Sequence, residues 1–214
     1  MRWGGIAGLV ALGLFVALNA EGASRSIGDI VTFKNGNIYS GTLDLKRVEL
    51  RTDVATFTLP RERVRRIRFG DGRDTPDVLY TADDGRLSGH LVGETLEMTR
   101  VLGPQLTVHT SDLAEVELTE SNPTTAPRRS DIVEWTNGDI LRVQVINERF
   151  EITGKAGPRS LNRDELDELA FNTMDDELEV RATRRSGGRI EGGLASQPIR
   201  VRTLAGQALA LDPT

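Results

Sequence analysis

Apolar and polar residues alternate along this chain in short runs, and glycine-bearing turns separate the runs. Val31-x-Phe33 leads to Asn35-Gly36 and then to Ile38 onward to Leu43, with Val48-x-Leu50 and Phe57-x-Leu59 following. A period of two over such short spans, with Asn-Gly or Asp-Gly between them, predicts strands joined in antiparallel hairpins. Asn35-Gly36, Asp84-Gly85, Asn137-Gly138 and Gly187-Gly188 mark the first hairpin of four successive stretches, each of about 45 residues. The pattern predicts an all-β chain.

The stretches also align with one another. Asp29-Ile30-Val31 returns as Asp131-Ile132-Val133, and at that offset of 102 Phe33 meets Trp135, Ile67 meets Leu169 and Phe69 meets Phe171. Later positions match at 103: Gly89 meets Gly192, Leu91 meets Leu194 and Met98 meets Val201. The repeats predict four tandem units at 29–74, 77–120, 131–174 and 177–214, arranged as two duplicated blocks. A closing motif with apolar positions 0, 5, 8 and 10 ends three of them: Leu59, Val64, Ile67, Phe69; Val108, Leu113, Val116, Leu118; Leu161, Leu166, Leu169, Phe171. It reads as a strand end, one tight turn and a final strand. Asn162 to Leu169 could pass for a capped helix. Its aligned partner, from Pro60 to Val64, is too short for more than a turn or two. The fourth unit reaches Leu211 without this motif and is expected to complete its sheet by borrowing an edge. Residues 121–130, polar and bearing Pro123 and Pro127, read as a linker between the blocks.

Each of the first three units resembles the Sm-like small β-barrel, the fold of Sm proteins and of the bacterial RNA chaperone Hfq. The resemblance rests on Val31-Thr32-Phe33-Lys34-Asn35-Gly36 leading to Gly41-Thr42-Leu43, on Val48-x-Leu50, and on the closing motif. The same strand order fits SH3-like barrels. It implies small barrels or bent sheets with an exposed edge strand that associate edge to edge. The RNA-binding signature is absent, because the chain reads Asp44-Leu45-Lys46-Arg47 after Leu43 and Pro60-Arg61-Glu62 where Hfq carries Tyr-Lys-His.

The N-terminus adds a compartment. Arg2 precedes an uncharged, mostly apolar run from Trp3 to Leu18, and Ala20, Gly22 and Ala23 follow. Residues 1–23 read as a signal peptide for export to the periplasm or cell surface of a bacterium. An uncleaved anchor, which would make the membrane a partner, is the alternative; the run is shorter than the ~20 residues of a spanning helix. The chain has no cysteine, so disulfides, thiolate metal sites and lipidated cysteine are excluded. Cleaving residues 1–20 removes Arg2, leaving 26 of the 27 basic side chains against 32 acidic ones, a net charge of −6. That balance argues against nucleic acid as a partner.

Little in the sequence suggests catalysis. His90 and His109 are the two histidines, and Gly193 and Asp212 stand at their duplicated positions. Asp71, Asp74, Asp77, Asp83 and Asp84 fit no EF-hand spacing and read as a solvated joint. Trp135 and Phe33, at equivalent positions, are expected in the core. No phosphate loop or nucleophile motif is present, and no metal or cofactor is expected. The densest charge is a run of arginines, Arg61, Arg63, Arg65, Arg66 and Arg68, which suggests either an interaction surface for anions or a charged edge that resists aggregation. The third unit reverses the sign with Asp164, Glu165, Asp167 and Glu168, so pairing of the two blocks along these edges is a further expectation. The expected function is non-catalytic: an envelope scaffold or protein-interaction module working through sheet edges or self-association. The alternative is a module binding polysaccharide or another anionic ligand.

Overall fold

A computed structural model describes residues 28–72, 74–100, 103–119, 130–174, 177–195 and 198–211. The expected signal peptide, and the linker apart from Ser130, lie outside the described residues.

The chain is all-β. The first block holds β1 (Asp29–Phe33), β2 (Ile38–Leu43), β3 (Arg47–Arg51), β4 (Thr56–Pro60), β5 (Val64–Arg68), β6 (Asp77–Thr81), β7 (Arg86–Leu91), β8 (Thr95–Arg100), β9 (Gln105–His109) and β10 (Leu113–Glu117). The second holds β11 (Asp131–Glu134), β12 (Ile140–Val145), β13 (Arg149–Gly154), β14 (Gly157–Asn162), β15 (Leu166–Met174), β16 (Glu177–Arg184), β17 (Arg189–Leu194), β18 (Ile199–Thr203) and β19 (Ala208–Leu211). The tight turns of the closing motif are 3-10 turns at Arg61–Arg63, Thr110–Asp112 and Arg163–Glu165. The helix that Asn162 to Leu169 could have formed is one such turn followed by β15.

Among the described residues the strands form two antiparallel sheets, of 14 and five strands. The large one runs β19-β18-β12-β7-β6-β5-β10-β1-β2-β8-β9, with β11 on β12 and the β3–β4 hairpin on β7; the small one runs β14-β13-β17-β16-β15. Both orders have two ends, so of the two expected forms, small barrels or bent sheets, the closed barrels do not form. Partners are exchanged between neighbouring stretches instead. β2 pairs with β8, Leu43 opposite Met98, while β7 pairs with β3, Leu91 opposite Leu50. β10 inserts between β1 and β5; Ile67 faces Val116 there, flanked by Arg66 opposite Glu117 and Arg68 opposite Glu115. In the second block β12 pairs with β18 and β13 with β17.

Glycine makes these crossings possible. A β-carbon on Gly41 would run into the carbonyl oxygen of Thr99, one on Gly89 into that of Arg51, and one on Gly192 into that of Thr153. A side chain there would push the exchanged strands apart.

The larger core gathers residues such as Val31, Ile67, Leu79 and Val116 from the first block with Val143, Val201 and Leu211 from the second. A smaller core holds Phe150, Ile152, Leu161, Leu166, Val180 and Ala182. Val145 and Ile199 touch both. Each fully buried aliphatic side chain contributes on the order of 1.5–3 kcal/mol. Across the halves, Ile140 pairs with Arg86, and the Gln207 amide group reads the edge of β4 by donating to Thr56 O (2.9 Å) and accepting from Thr58 N (2.9 Å).

Two aromatic expectations hold in part. Phe33 and Trp135 are half-buried and pack against the larger core from its rim. Phe33 stands edge-on to Tyr39, and Trp135 opens the β11–β12 turn with its ring edge-on to Phe57 at 6.3 Å. An aromatic at the mouth of a turn covers the core rim without entering it.

Candidate functional site

The arginine run does not form one surface. Arg61 donates to Asp29 Oδ1 at 2.6 Å and to Leu43 O at 3.2 Å, and Arg63 reaches Leu204 O at 3.5 Å, so both serve the fold. Arg65 pairs with Asp84 at 3.4 Å. Arg66 stacks on the Tyr80 ring, 4.3 Å from its centroid, and lies 3.9 Å from Glu115. Arg68 is exposed opposite Glu115. Arg65 and Arg66 border a hollow of about 360 Å³, whose other walls are Glu117 and Leu118. Nearby carboxylates thus partly neutralise the face. β5 has a neighbour on each side, β6 and β10, so the expected edge pairing of this segment with the acidic run of the third unit does not occur.

That acidic run borders a different feature. β11 pairs only with β12, and β15 only with β16, among the described residues. Their free edges line a groove of about 770 Å³. Val133 on one side, Leu169 and Phe171 on the other, and Phe150, Leu166 and Leu211 between them give it apolar walls. Val133, Leu169 and Phe171 are half-buried, whereas Val31, Ile67 and Phe69, at the matching positions of the first block, are buried. Glu134, Asp164, Asp167 and Glu168 give the groove an acidic border. Its two cations are engaged: Arg163 donates to Asp131 Oδ2 at 2.7 Å, and Arg185 donates to Leu166 O at 2.8 Å.

Sequence reasoning overlooked a set of aspartates that position strand ends. Asp29 accepts from Leu43 N, Asp77 from Leu91 N and Asp131 from Val145 N, each at 2.8 Å. Asp29 also accepts from Thr119 N at 2.9 Å, and Asp77 from Gly70 N at 3.0 Å. The 102-residue offset already linked Asp29 to Asp131 and Arg61 to Arg163. Their pairing across the turn was the available signal.

His90 and His109 are exposed on β7 and at the end of β9. Asp77 works within the fold, and among the described residues no group of three His, Asp or Glu side chains is placed to hold a metal. No protein-family model matches the chain, and no curated protein shows significant similarity to it.

Proposed function

We propose that this is a non-catalytic exported protein of the bacterial envelope, a scaffold that engages other proteins through its sheet edges. On this reading the chain is four Sm-like units in two duplicated blocks, with neighbouring units exchanging their β3–β4 type hairpins. The observation that carries the proposal is the facing pair of free edges, β11 and β15, across a half-apolar groove. Unpaired backbone donors and acceptors beside apolar side chains are a template for strand addition. The apolar N-terminal run supports export. Among the described residues no helix is long and apolar enough to cross a membrane.

Binding of a polysaccharide or another anion at Arg65, Arg66 and Arg68 is the weaker reading, because Glu115 and Glu117 stand among them. Crosslinking in intact cells followed by mass spectrometry tests the choice. A specific envelope protein at near-stoichiometric yield is expected. Recovery of glycan adducts alone would favour the arginine face and overturn the edge reading.

A further inference from the structure

We propose that the groove between β11 and β15 accepts one extended strand of a partner protein, a segment in which apolar residues alternate with lysine or arginine. The inference rests on the edge-binding reading and names its site and the partner's chemistry.

The first block shows what such a site holds. There β10 lies between β1 and β5 and pairs with both, burying Val116 between Val31 and Ile67. In the second block β11 and β15 stand where β1 and β5 stand, by sequence offset and by neighbours, since β11 pairs with β12 as β1 does with β2, and β15 with β16 as β5 does with β6. No strand of the described residues lies between them. The counterparts of the apolar side chains that β10 covers in the first block are only half-buried here, and Ile132 beside Val133 is 58% exposed.

The aspartate pair supplies a second, independent sign. Asp29 uses both carboxylate oxygens: Oδ2 takes Leu43 N, and Oδ1 takes Arg61 and Thr119 N, the amide two residues beyond β10. Its side chain is 1% exposed. Asp131 uses Oδ2 for both Val145 N and Arg163, is 33% exposed, and has no partner on Oδ1 among the described residues. That oxygen is placed to accept an amide from the end of an incoming strand.

Charge selects the occupant. Where β5 offers Arg66 and Arg68, β10 answers with Glu117 and Glu115. β15 carries Asp167 and Glu168 at the corresponding stretch, and Glu134 lies across the groove. A strand with glutamates like those of β10 would be repelled, and one with cations would be drawn in. A second folded copy fits poorly, because its β15 already has β16 on one side and could not pair with both walls of the groove.

The test uses a synthetic peptide with the sequence of residues 59–69, Leu-Pro-Arg-Glu-Arg-Val-Arg-Arg-Ile-Arg-Phe, which carries the apolar spacing and the cations. Added to the intact protein, it should bind saturably and slow amide hydrogen exchange in Asp131–Glu134 and in 166–171. A peptide with Glu in place of the arginines matching 65, 66 and 68 should bind about tenfold or more weakly, given ~0.5–1 kcal/mol per solvated ion pair. The variant Glu134→Lys/Asp167→Lys/Glu168→Lys should lose binding at unchanged melting temperature. Protection at β9, β14 or β19 instead would overturn the groove while leaving edge binding intact. No binding of either peptide overturns the inference, and in-cell crosslinking that still recovers a protein partner would then spare the broader reading. Protection of both walls by a dimer of the protein alone would also overturn it.

Discussion

Asp29 and Asp131, which match at an offset of 102 in the sequence, stand in two different surroundings, and the difference is measurable. Asp29 is buried and holds an arginine and two backbone amides. Replacing it with alanine leaves those donors without an acceptor, at a cost of about 3 kcal/mol or more. Asp131→Ala breaks a pair whose two side chains are each one-third exposed, and about 1 kcal/mol is expected. Urea unfolding of the two variants measures both; equal losses would contradict the assignment. A second residue stores strain. Asp84 has φ +65° at the turn position where Gly36 has φ +86°. Asp84→Gly relieves a left-handed backbone and gives up only an exposed pair with Arg65, so stabilisation by ~1 kcal/mol or less is expected, seen as a raised denaturation midpoint. The sequence made Asp29 and Asp131 visible as a matched pair but hid their role, because the amides they bind lie 14 and 90 residues away and backbone groups leave no mark in composition.

The elements were more legible than their partners. Alternation and the Asn-Gly and Asp-Gly pairs located the hairpins, and the spacing 0-5-8-10 located three 3-10 turns with the strands after them. Alternation reports which face of a sheet a side chain takes. It carries no label for the strand alongside, so nothing in Leu43 pointed to Met98 rather than to a nearer residue. The glycines at the crossings held part of that information. Gly89→Ala drives a β-carbon against the Arg51 carbonyl and should cost about 1–3 kcal/mol. Gly193, with nothing within 4 Å of the same added atom, should accept alanine with little loss. Thermal melts of the two variants compare a crowded glycine with an uncrowded one directly, and similar melting temperatures would count against a steric role for Gly89.

At the scale of the whole molecule, the two cores differ in size and the sheets should differ in stability. Among the described residues the small sheet closes over six buried side chains, while the larger core collects residues from both blocks. Local opening follows buried apolar contact. Native-state hydrogen exchange should therefore run faster through β13–β17 than through β1, β5 and β10. The reverse order would mean that the groove side is the more rigid one. The exchanged hairpins bear on history as well as on stability. Because β1 is completed by β10, the first strand of the described residues has no finished place until Leu113–Glu117 has been made. A nascent chain thus stays pliable through just over half its synthesis, and settling such distant partners is slow work, on the order of milliseconds to seconds. Under the proposed export, in which the chain threads a narrow channel before it folds, that delay would be an asset written into the order of its strands.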